Sequence, residues 1–186
     1  LYGKPGQYLL ATDSDILSPT TAKINKVAGF ESDMDNAAVT LGSTTAFLTK
    51  TGSATKMHEL LKVNAIEPPD HIEQTRTVPE LIPTTVNSFV GSPDLGLVSI
   101  GTLGQTTLYH FNFLRFGTQE IGRAWYKWEL PGTLKHQFFD GNEYNAVIQL
   151  DNNDNDIVVV SFDVAQSSTD GVIKLESGKK TDLVLD

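Results

Sequence analysis

An all-β chain of antiparallel meanders, arranged like the blades of a propeller, is what this sequence predicts. Three observations lead there. Short β-branched or aromatic runs recur between Gly, Ser, Asp and Asn clusters. No long stretch keeps a helical period. Strand–turn–strand units also repeat raggedly: Thr44–Lys62, Leu108–Leu130 and Tyr144–Val164 begin 64 and 36 positions apart. Propellers stack such small sheets radially and leave only short edges. A Greek-key β-sandwich gives the same local signals and stays open as the alternative.

In the first half the predicted strands are Gln7–Thr12 (QYLLAT), Ala38–Leu41 (AVTL) and Thr45–Lys50 (TAFLTK). Ala54–Val63 (ATKMHELLKV) can place Met57, Leu60 and Leu61 on one side of a helix, but its position after a polar turn favours a strand. Ile72–Val86 contains Pro79 and Pro83, so no long helix runs through it. We expect a crossing segment there, with at most one helical turn. The second half is clearer: Leu97–Gly101, Thr106–Arg115, Ala124–Leu130, Tyr144–Leu150 and Ile157–Val164 follow one another through short polar connections. Alternation puts Leu108 and His110 on one face and Phe111 and Phe113 on the other, as in a sheet covered on both sides. Prolines 68, 69, 79 and 83 mark the boundary. The expected organisation is a first β lobe over 1–66, a Pro-rich crossing over 67–89 and a second β lobe over 90–186.

Composition narrows the function. A chain of 186 residues suffices for one domain or two small ones and buries roughly 70 % of its unfolded surface. The net charge of −9 opposes phosphate-backbone binding, which rests on Lys and Arg. It is compatible with a surface that DNA passes without sticking. With no cysteine there is no disulfide, thiolate nucleophile or Cys-ligated zinc. No apolar run of about 18 residues is present, so no helical membrane insertion is expected. The first residues, LYGKPGQYLL, start without Met inside an apparent strand, which suggests a piece of a longer chain.

Candidate chemistry is sparse. In AWYKWEL a strand puts Trp125, Lys127 and Glu129 on one face and Tyr126, Trp128 and Leu130 on the other. An aromatic pair on one pleat face anchors a sheet, and Lys127 can lie over an indole. Packing or interface is therefore the reading for Trp125, Tyr126, Lys127 and Trp128, with sugar stacking as the alternative. LDNNDND puts Asp151, Asn153 and Asn155 at the first, third and fifth positions of a calcium loop. Asp156 stands where Gly is needed and Phe162 where a bidentate Glu is needed, so it reads as an acidic hairpin turn. The carboxylates of Asp13, Asp15, Asp33 and Asp35 lie in turn-like stretches and show no catalytic pairing. His58, His71, His110 and His136 form no HxH or HExxH arrangement, and His110 reads as a hydrogen-bonded sheet residue. No GxSxG elbow exists, and GTLGQT (Gly101–Thr106) reads as a hairpin turn. No catalytic, cofactor or metal residue is expected, and the chain reads as a non-enzyme.

The order of the pieces resembles the tail tubular protein B family, the nozzle proteins of short-tailed bacteriophages. One block is matched at Ser18, Pro19, Thr20, Thr21, Ala22, Ile24, Val27 and Phe30. A later crossing is matched at Val78, Pro79, Leu81, Ile82 and Pro83, and a tryptophan-rich strand at Ala124, Trp125, Lys127 and Trp128. The likeness spans roughly residues 6–165, and its specificity lies in the order of short apolar motifs. It implies a structural virion subunit assembled in the host cytoplasm, with a propeller-like platform. It further implies a homo-oligomer, a hexamer in the full-length protein, set against the tail adaptor protein and tail fibres around a channel for phage DNA. Pro79 and Pro83 join the packing or interface residues on this ground. A carbohydrate-binding β module is the alternative function.

Overall fold

β-branched and aromatic runs broken by tight polar turns fold into strands alone, apart from one short 3-10 turn at Gln74–Thr77. A computed structural model describes residues 2–3, 6–12, 18–19, 21–61, 70–116, 119–151, 156–163, 172–175 and 180–182. Asp13, Asp15, Pro68, Pro69 and the centre of the acidic turn at 152–155 lie outside the described residues. The fold is all-β and antiparallel. It divides into two compact units, Leu1–Thr84 and Thr85–Asp186.

The first unit holds two sheets. β1 (Tyr2–Gly3), β2 (Gly6–Thr12) and β3 (Ala22–Ala28) form one. β4 (Val39–Leu41), β5 (Thr44–Thr51), β6 (Ala54–Leu61) and β7 (Asp70–Glu73) form the other, with β8 (Ile82–Pro83) also on β6. The stretch ATKMHELL is thus a strand, its Met57 buried opposite Leu48 of β5 and its Leu60, on the other face, buried opposite Thr45. β7 and β8 share one edge of β6: Glu73 faces His58, and Ile82 faces Thr55. The 3-10 turn interrupts that edge, and there the Met57 amide donates instead to Thr75 Oγ1 (3.3 Å). A buried amide without a partner is costly, so this substitution keeps the interruption tolerable. Pro83 has no amide to offer and takes a place that suits it, on an edge, where its carbonyl accepts from Thr55 Oγ1 (2.8 Å).

The second unit is built from two meanders. β9 (Ser88–Ser92), β10 (Leu97–Gly101), β11 (Thr107–Phe116) and β12 (Gln119–Glu129) form a four-stranded sheet. β13 (Gly132–Asp140), β14 (Glu143–Leu150), β15 (Ile157–Asp163), β16 (Val172–Leu175) and β17 (Lys180–Asp182) form a five-stranded one. In both, spatial neighbours are sequence neighbours, and among the described residues no strand makes the long return that defines a Greek key. Among the described residues no sheet closes on itself. The two sheets meet over a shared core of Leu108, Leu134, Tyr144, Ala146, Ile148 and Val160, with Trp128 and Phe162 packed against it. Each large side chain fully buried here contributes about 1.5–3 kcal/mol.

The turns fix the register. The Phe113 amide donates to the Gly96 carbonyl (2.7 Å), which ties the β9–β10 turn to β11. Gly96 has φ +58°, and a Cβ there would sit 2.2 Å from the Phe113 carbonyl oxygen. Gly104, in GTLGQT, has φ +85° but open space around it. Gly96→Ala is therefore expected to cost well over about 1 kcal/mol and to lower the thermal midpoint more than Gly104→Ala does. Equal midpoints for the two variants in calorimetry would contradict this account of the turn.

Candidate interface and packing site

The tryptophan strand pairs along its length with β11: Trp125 faces Phe111, Tyr126 faces His110, Lys127 faces Tyr109 and Trp128 faces Leu108. Alternation then sorts the four side chains. Tyr126 and Trp128 point toward the second sheet of their unit, Trp125 and Lys127 away from it. Trp128 lies 4.7 Å from the Phe162 ring and 6.0 Å from Tyr144, across the gap between the sheets. Trp125 packs on Phe111 at 4.9 Å, on a face where Val98, Ile100 and Phe111 are fully buried. Lys127 does not lie over an indole. Its ammonium sits 5.5 Å from the Tyr109 ring centroid, because Tyr109 is its register partner across the strand pair. In the first unit Pro79 is exposed and Pro83 half-buried.

Polar groups caught between the two sheets of the second unit are joined to one another. Ser99 Oγ and the Tyr144 hydroxyl both donate to Gln137 Oε1 (2.6 and 2.7 Å), and Gln137 Nε2 donates to Ser88 Oγ (2.9 Å). Burial drives the Tyr144 phenol well above its ordinary range and pushes Tyr126 up to about 12. His110 departs from expectation. It is a fully buried sheet residue, but neither ring nitrogen has a hydrogen-bond partner among the described residues. It stacks on Tyr126 (5.3 Å), tilts against Trp128 (4.2 Å) and meets Tyr144 edge-on (5.4 Å). Its position opposite Tyr126 in an aromatic strand explains this surrounding, and burial lowers its pKa to about 3. It is therefore a neutral packing group.

A second cluster was not legible in the chain. Phe30, His71, His58 and Phe47 form a stack, with successive ring centroids 4.2, 4.9 and 5.3 Å apart. His58 Nδ1 and His71 Nε2 are 2.7 Å apart, so they share one proton, and Thr49 Oγ1 lies 2.9 Å from His58 Nε2. The two histidines are 13 residues apart, and only the pairing of β6 with β7 brings them together. Burial first, then His71, lowers the His58 pKa to about 4, and burial also lowers His71.

The SDMDN carboxylates build a turn. Asp33 Oδ2 and Asp35 Oδ2 each lie 3.1 Å from Lys50 Nζ, and Asn36 Nδ2 donates to Asp33 Oδ2 (2.7 Å). Burial pulls the Lys50 pKa down, but its bonds to Asp35 and Asp33 outweigh that, and the ammonium is held above its usual range. The two carboxylates thus clasp one shared cation. Among the described residues no three His, Asp or Glu side chains converge as a metal site would require.

A family model described as bacteriophage nozzle protein matches residues 1–182. The chain belongs to the bacteriophage nozzle protein family. It is a structural subunit of the phage tail, a component of the virion that assembles with other tail components. No match was found among curated proteins. In this nozzle subunit the aromatic strand sits in packed sheets, in keeping with a structural task.

Two outcomes follow for the nozzle subunit. Trp128→Ala removes rings from between two sheets and is expected to cost about 3 kcal/mol or more, exceeding Trp125→Ala, in denaturant melts; the reverse order would contradict the assignment of faces. The second concerns acid. The folded pKa of His58 lies below its unfolded value, so the unfolded chain binds more protons between the two. Stability from this group is thus complete above about pH 6.5 and is lost as pH falls toward about 4. At ~1.4 kcal/mol per pH unit the loss is at most about 3 kcal/mol. His58→Gln is expected to flatten that limb of the stability–pH curve, and an unchanged slope would count against the stacked pair.

Proposed function

We propose that this chain is a non-enzymatic wall element of a conduit for phage DNA, with six copies of the full-length protein closing a ring. In this reading the two β lobes serve as blade-like parts of a propeller-like platform, with the tail adaptor protein and tail fibres as neighbours, after assembly in the host cytoplasm. The observation that carries it is the fate of the aromatic strand. Trp128 is spent on inter-sheet packing and Tyr126 on a stack with His110, and a stacking platform for sugars needs such rings in an open groove.

Electrostatics supports the same reading. A net charge of −9 repels phosphate, which favours sliding over sticking. The carboxylates of Asp33 and Asp35 are held by Lys50. Trp125, Tyr126, Lys127, Trp128, Pro79 and Pro83 then act through packing or at interfaces: Tyr126 and Trp128 inside, Lys127 and Pro79 where neighbours reach them.

Electron microscopy of the intact nozzle protein is expected to show closed rings with a central channel, and single copies under every condition would refute the conduit. Glycan arrays are expected to give no hits, and tryptophan emission is expected to stay unchanged with envelope polysaccharides. A sugar-dependent emission shift abolished by Trp125→Ala would replace this reading with a carbohydrate-binding one.

A further inference from the structure

The β11–β12 hairpin outruns its sheet. β10 covers β11 only from Leu108 to Asn112, and the Gly96 carbonyl adds one bond at Phe113. Beyond that point Leu114 pairs with Gly122, Arg115 with Glu120 and Phe116 with Gln119, with a bulge between Leu114 and Arg115. A bare two-stranded ribbon is marginally stable in water, and a bulge re-aims a strand. Leu114 is 61 % exposed on this arm, and the Arg115 guanidinium lies over Phe113, 4.4 Å from its centroid.

The arm is also net basic in an acidic chain. Arg115 and Arg123 are two of only three arginines, and with Glu120 the arm carries +2 − 1 = +1 in a chain of −9. Acidic residues edge the end of the unit from which it projects. Asp94 is exposed in the β9–β10 turn, which is tied to β11 at Phe113. β13 starts beside the β10–β11 turn, where Leu134 donates to the Gln105 carbonyl (2.8 Å), and passes Ser99 at Gln137. Its far turn, Asp140–Glu143, therefore lies toward the arm end, with Asp140 and Glu143 exposed.

We infer that the β11–β12 arm of one copy docks on the acidic Asp140–Glu143 rim of the next copy. Such a contact joins two different patches, which is what a ring requires, and opposite charges set its register. Leu114 is the apolar anchor on one face of the arm, and Arg115 and Arg123 share the other face with Phe113. The inference rests on the ring reading above, and its test separates the two.

The chain has no cysteine, so introduced thiols report one contact cleanly. Leu114→Cys and Asn142→Cys are made separately in the intact nozzle protein, co-assembled and oxidised. Disulfide-linked pairs are expected in the mixture and in neither variant alone. Arg115→Glu with Arg123→Glu is expected to abolish assembly, and Asp140→Lys with Glu143→Lys to restore it. Rings of full size without the mixed disulfide overturn the arm contact and leave the ring standing. A disulfide from Leu114→Cys to a different tail protein overturns it too, by naming another occupant. Single-copy mass in sedimentation for the unmodified protein overturns both readings.

Discussion

The second unit depends on one shared layer of side chains between two meanders. A sheet of four or five strands cannot bury an apolar face alone, and here each meander is the other's cover. Trp128, Tyr144 and Phe162 span the gap, and Leu108, Leu134 and Ile148 fill around them. Interiors pack at crystal density, so this layer fixes where every strand end and turn emerges. The position of any surface that meets a neighbour is set from inside.

Burying so much sheet also buries polar atoms, and the molecule resolves each case differently. Gln137 links Ser88, Ser99 and Tyr144 into one network, and in a low-dielectric gap such bonds are strong once all partners are present. His58 and His71 share a proton within a stack of rings. His110 stays neutral and is held by ring faces. Asp33 and Asp35 close on Lys50. All of these are uses of chemistry for shape.

That outcome fits a tail nozzle subunit. A part that assembles with other tail components needs rigid sheets, defined turns and surfaces that meet neighbours in one register. The same logic accounts for edges: β7, the 3-10 turn and β8 share one side of β6, with Pro83 where no amide is required. Ragged, proline-bearing edges resist uncontrolled strand addition, and the β11–β12 arm extends past its sheet.

The sequence by itself determined the all-β class, the tryptophan strand with its alternating faces and the turn at GTLGQT, because period-two patterning and turn residues are local signals; the structural kind of protein came from the resemblance carried by the order of its motifs. It also pointed to ATKMHELL as a strand. It left β3, β9 and β13 unmarked, since AKINKVA, SFVGS and GTLKHQFFD mix polar residues into both faces and lack clean alternation. Tertiary structure alone decided which rings meet across sheets, that Lys127 rests on Tyr109, that the His110 ring nitrogens find no partner among the described residues, and that His58 finds His71. Those contacts depend on pairing register and on sheet stacking between residues far apart in the chain, and neither is written in any local window of residues.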